Sequence, residues 1–177
     1  MDSDQELIEL VNEGDADAFE TLYRRYRDWV YHLAWRFTGS PQDALDVLQE
    51  TFTYLLGKFP GFSLTASMTT FLYPVVRHIS LTIRSKNRRF TSDEEILSEI
   101  TAPALKESHS SRSELAAVLT VLSDEQREVL LMRFVDDMSL QEISTALNIP
   151  LGTVKSRLHN ALERLRDDSR IKEYFLE

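Results

Sequence analysis

No cysteine occurs among the 177 residues, so a disulfide framework, a thiolate metal site and a cysteine nucleophile are excluded. Glycine and proline are sparse, at five each, and neither a glycine-rich phosphate loop nor a G-x-S-x-G elbow is found. No apolar run approaches the ~18 residues a membrane span requires. The stretch Met1 to Glu9 is acidic, unlike a basic leader followed by an apolar segment. The chain is therefore expected to be soluble and cytoplasmic, with no membrane insertion of its own. Strand-like alternation of useful length, internal repeats and low-complexity tracts are also missing. His32, His78, His109 and His159 form no H-E-x-x-H pair, and no metal, cofactor or enzymatic activity is expected.

What the chain does contain is an excess of acid, for a net charge of −9. Affinity for DNA comes largely from phosphate neutralisation by Lys and Arg, so the sum argues against a nucleic-acid partner. The distribution argues otherwise. Gly61 to Phe90 holds Arg77, Arg84, Lys86, Arg88 and Arg89 with no acid, and Ile149 to Arg166 holds Lys155, Arg157, Arg164 and Arg166 against Glu163 alone. Two basic islands in an acidic chain suit a protein that meets DNA at two places and a basic protein surface elsewhere.

Apolar periodicity is helical throughout. Phe19, Leu22, Tyr26, Val30, Leu33 and Phe37 mark one long helix that ends at Gly39. Ser40 and Pro41 supply an N-cap and a first-turn proline for a second, with Ala44, Leu48, Phe52 and Leu55 as its stripe and Gly57 as its end. After a polar loop from Ser63 to Ser67, a third carries Leu72, Val76, Ile79 and Ile83 into the basic run. Thr91 to Ser113 is rich in Ser, Thr and acids, with a brief apolar patch at Ile96, Leu97 and Ile100, and is expected to be a flexible linker. Beyond it, Ser123 with Gln126 and Ser139 with Glu142 form two capping boxes. The expected fold is all-α: two small helical domains, 1–90 and 114–177, joined by an acidic linker, 91–113.

Near the C-terminus, Leu140, Ile143 and Leu147 stripe one short helix, Asn148 to Pro150 interrupts it, and Val154, Leu158, Ala161 and Leu165 stripe the next. That is a helix-turn-helix pattern. At about 100° per residue, the polar face of the second helix carries Gly152, Ser156, His159 and Asn160, flanked by Thr153, Lys155, Arg157 and Arg164. Thr153, Ser156, His159 and Asn160 are expected to meet base edges, and Lys155, Arg157 and Arg164 to hold phosphates. In the first domain, Asp46, Gln49 and Glu50 share a helix face suited to charge-assisted bonds with Arg and Lys of a partner. Tyr73, Arg77, His78, Arg84 and Lys86 combine rings with cations, as single-stranded DNA requires. A helix-turn-helix alone permits a free-standing transcriptional regulator equally well, so the choice depends on the first domain.

The run from Ser139 to Arg166, with G-T-V-K-S-R-L as its most specific part, closely resembles region four of extracytoplasmic-function (ECF) sigma factors of the sigma-70 family. Asp46 to Phe52, D-V-L-Q-E-T-F, resembles the region-two segment of the same family. The resemblance implies that Asp46, Gln49, Glu50 and Phe52 dock on core RNA polymerase. It implies that Phe62 and Ser63 open a loop that cradles a flipped base of the −10 element, with Tyr73, Arg77, His78, Arg84 and Lys86 nearby, and that the second helix of the C-terminal pair reads the −35 duplex. It further implies promoter DNA and an anti-sigma factor as partners, for a chain expected to be a monomer. Several residues depart from the family pattern: Pro74 replaces Arg inside a helix that it should kink or deprive of a hydrogen bond. Thr82 replaces Asp, Ser85 a base, Ser123 Pro, Asn148 the turn Gly and Asn160 Arg. Asn148 can still make the turn, because Asn tolerates left-handed angles.

Overall fold

The computed structural model describes residues 3–90 and 119–167, which form helices joined by turns. The linker expected at 91–113, with Ile96, Leu97 and Ile100, lies outside the described residues, as do His109 and the side chains of Arg88 and Arg89. The chain divides into two compact units, Met1–Ala104 and Leu105–Glu177.

The first unit packs α1 (Asp4–Asn12), α2 (Ala16–Thr38), α3 (Pro41–Leu56) and α4 (Met68–Phe90). Helix α2 stops where Gly39 turns left-handed at φ 76, and Ser40 Oγ caps α3 by accepting from the Asp43 N–H, with Pro41 in the first turn. Leu22, Val30 and Leu33 of α2, Val47 and Leu55 of α3, and Leu72 and Val76 of α4 form the core. Pro74 does not break α4. It sits on the exposed side, so its ring meets solvent rather than the bundle core, and the helix runs on past the one backbone hydrogen bond it cannot make.

The periodicity read from the sequence begins at Phe19 and misses α1. This helix has nine residues, fewer than three turns, and opens with a capping box in which Ser3 and Glu6 serve each other's backbone N–H. Leu7, Ile8 and Val11 are buried on the bundle, each contributing about 1.5–3 kcal/mol on removal from water. Asp4 fixes the helix to α2 by accepting from Arg25 and from the Tyr26 hydroxyl.

The second unit contains α5 (Asp124–Phe134), α6 (Leu140–Leu147) and α7 (Leu151–Asp167). Both capping boxes form as spaced, Ser123 with Gln126 and Ser139 with Glu142. Asn148 takes the left-handed turn at φ 51, the Ile149 N–H donates to the Ser144 carbonyl at 3.1 Å, and Ser144 Oγ donates to the Ile149 carbonyl at 2.7 Å. The chain is thereby re-aimed within three residues, and Pro150 opens α7 by accepting from the Val154 N–H. Ile143, Val154 and Ala161 are buried where the helices meet.

Candidate nucleic-acid interface

Val154 and Ala161 anchor α7, which leaves its opposite face to solvent. Lys155, Ser156, His159, Asn160 and Arg164 are exposed, and Thr153 and Arg157 are half-buried at the edges. All seven residues expected to touch duplex DNA thus lie on one helix, with Ser156, His159 and Asn160 on its outward face. Ser156 Oγ donates to the Thr153 carbonyl at 3.0 Å, which orients the hydroxyl near the start of the helix. Glu163 stands 3.6 Å from both His159 and Arg166, so the acid of this basic stretch is paired within its own helix. Glu125, exposed at the start of α5, is held below the usual carboxylate range by its own backbone N–H and the Ser123 hydroxyl, with a smaller contribution from Arg157. Lys155 projects from the exposed side.

In the first unit, the loop between α3 and α4 follows Gly61, whose φ is +98. Phe62 is half-buried, with its ring 5.4 Å from Phe59 and 4.9 Å from Phe71. Ser63 is exposed and Ser67 caps α4 by accepting from the Thr70 N–H. His78 and Lys86 are exposed, while Arg77 is half-buried. Arg84 is half-buried too and reaches the Phe37 carbonyl at 3.4 Å, at the end of α2.

Tyr73 is a correction. It is 1% exposed and its ring packs edge-on against Phe37, so it belongs to the core and cannot stack on a base. Its place on the helix, one residue after Leu72, falls within the wide inward face of a helix packed against two others. Residue type alone does not separate a buried Tyr from an exposed one, since the ring is apolar and the hydroxyl polar.

On α3, Asp46, Gln49 and Glu50 are exposed together, as their spacing requires. Phe52 faces the bundle, as its place in the apolar stripe requires, for it is 5% exposed and packs edge-on against Phe19 and Tyr23. It lies in the floor of an open apolar groove of 380 Å³ between α2 and α3, where Leu45, Leu48, Gln49, Thr53 and Leu56 complete the lining. Leu45 and Leu56, 49% and 52% exposed, were absent from the expected site. Their signal was an apolar residue breaking the polar face of a helix. The polar face and the groove adjoin along α3, giving one surface with both charge and apolar area.

A helix-turn-helix unit whose second helix turns a cationic face outward, carried in one chain with a second helical unit that exposes an acidic face, is the architecture of a two-domain DNA-binding protein. The family models for Sigma-70 region 2 and Sigma-70 region 4 match residues 22–90 and 118–167. Over 177 residues the chain is 32% identical to the ECF RNA polymerase sigma factor SigW of Bacillus subtilis, covering 92% of this chain and 95% of that protein. Two solved structures share the fold. CnrH in complex with the cytosolic domain of CnrY gives a TM-score of 0.67 at 20% identity, covering 93% of this chain and 96% of that one. The sigma factor RpoE in complex with the anti-sigma factor NepR from Bartonella quintana gives 0.66 at 19% identity, covering 84% and 94%. The chain belongs to the ECF group of the sigma-70 family and is an RNA polymerase sigma factor. No helix among the described residues is long and apolar enough to cross a membrane.

Proposed function

We propose that the chain directs core RNA polymerase to its promoters by dividing the work between its units. Helix α7 enters the major groove of the −35 duplex, with Thr153, Ser156, His159 and Asn160 toward base edges and Lys155, Arg157 and Arg164 toward phosphates. Asp46, Gln49, Glu50 and the groove beside them dock on core enzyme. The loop opened by Phe62 and Ser63, with Arg77, His78, Arg84 and Lys86 of α4, takes the melted −10 strand. The polymerase makes every bond, and this chain supplies selection without catalysis of its own. The observation that carries the reading is the outward cationic face of α7, within the family match over both units.

RpoE of Bartonella quintana is seen with an anti-sigma factor, and a protein of that kind is proposed as this chain's inhibitory partner. The exposed Leu45 and Leu56 beside the acids of α3 offer it the same surface that core enzyme uses, which makes the two partners exclusive. The chain acts as a monomer in the cytoplasm. Run-off transcription with core polymerase on genomic fragments tests the reading. Start sites that appear only when the chain is added support it. A chain that binds a specific duplex tightly by itself, and neither joins core enzyme nor adds a start site, would instead be a free-standing regulator.

A further inference from the structure

Asn12 ends α1 and is separated by about fifty residues from the loop it holds. Its Oδ1 accepts from the N–H of Gly61 at 2.6 Å and of Phe62 at 3.1 Å, and its Nδ2 donates to the Phe62 carbonyl at 2.8 Å. One planar amide therefore satisfies both backbone groups of Phe62, as a neighbouring strand would. The choice of side chain is restrictive: aspartate has no N–H to give, glutamine is a methylene longer, and alanine offers neither group. The helix that carries Asn12 is itself fixed, by Asp4 on α2 and by the buried Leu7, Ile8 and Val11. The Phe62 ring is braced by Phe59 and Phe71, so the loop leaves this point with backbone and side chain both held.

We propose that Asn12 is a positioning residue for −10 recognition, setting the start of the loop Phe62–Ser67 so that its base-selective groups meet the melted strand in one geometry. The proposal rests on the reading of that loop as the −10 site. Asn12 is uncharged and reaches backbone rather than solvent, so it adds nothing to phosphate attraction. Its loss should weaken discrimination among bases and leave the salt dependence of binding unchanged.

The test uses holoenzyme assembled with core polymerase. The probe is a labelled fork DNA whose single-stranded tail carries the −10 sequence of a promoter mapped by run-off transcription, together with forks in which each −10 base is changed. Asn12→Ala is expected to lose roughly tenfold of the preference for the mapped sequence at an unchanged salt slope. Ser3→Ala, which uncaps α1 without touching the loop, is expected to keep the preference. A combined Ser63→Ala, Leu64→Ala and Thr65→Ala variant should lose it. If that loop variant keeps full preference, the loop is not the −10 site and the proposal falls with the reading. If the loop variant loses preference and Asn12→Ala does not, the proposal alone is wrong. Equal losses in Ser3→Ala and Asn12→Ala would also overturn it, since Asn12 would then act only through the stability of α1.

Discussion

Arg164 on α7 donates to Gln126 on α5 at 3.1 Å, and the same Gln126 oxygen accepts the Ser123 N–H at 3.2 Å to complete a capping box. One amide oxygen thus ties the reading helix to the start of the helix beneath it. Gln126→Ala removes both bonds at a site 8% exposed, and is expected to cost the second unit about 1–2 kcal/mol. Urea unfolding followed by helical circular dichroism measures this. Arg164→Ala should lower stability as well as promoter affinity, because its guanidinium spans both tasks.

Lys155 projects from the exposed side of α7, whereas Ser156 and His159 lie at its centre. Lys155→Ala is expected to weaken binding evenly across promoter sequences and to reduce the salt slope by about one unit. Substitutions at Ser156 or His159 should change sequence preference at an unaltered slope. Binding of holoenzyme to a set of −35 variants across a salt series separates the two. Even, sequence-independent losses from all three would refute the division of roles.

Phe52 and the α3 acids should part company on mutation. Phe52→Ala opens a cavity against Phe19 and Tyr23, and is expected to destabilise the first unit by about 3–5 kcal/mol. Asp46→Arg combined with Glu50→Arg should leave the melting temperature near that of the parent, since both side chains are exposed. The charge-reversed chain should nevertheless fail to co-purify with core polymerase. Retained co-purification would remove the docking role from this face.

Burial, then the hydrogen bond to Asp4, then the charge of Asp4 push the Tyr26 phenol above its ordinary value. An acid whose folded pKa is raised leaves stability intact below the unfolded value. Stability is then lost as pH rises beyond it, because the unfolded chain ionises first. Phenolate absorbance should therefore show a late component that Tyr26→Phe abolishes. The same substitution should flatten the alkaline loss of stability seen in thermal melts.

Most of the fold was legible because its signals are local. Gly39, the Ser40–Pro41 start of α3, the two serine capping boxes and the Asn148 turn each declare a boundary through residue type and short spacing. Helix α1 escaped because three buried side chains in nine residues make too little periodicity, although Ser3 and Glu6 marked its start. The site divided along the same line. On α7 one face is buried and the other open, so periodicity separates the buried residues from the exposed ones. On α4, which packs on more than one side, the ring of Tyr73 turns inward although it stands outside the stripe of Leu72, Val76, Ile79 and Ile83. Asn12 could not be found from sequence at all, since its partners are backbone groups about fifty positions away.

That separation governs the order in which the first unit assembles. A ring of about fifty residues must give up chain entropy to close, and three hydrogen bonds at a half-exposed seam return little on their own. The clasp on Phe62 is therefore expected to close after α2 and α3 have paired and to loosen early on warming, which hydrogen exchange at the Gly61 and Phe62 amides measures. On the proposed reading of that loop, preference among −10 bases is expected to fade on warming before helical circular dichroism is lost.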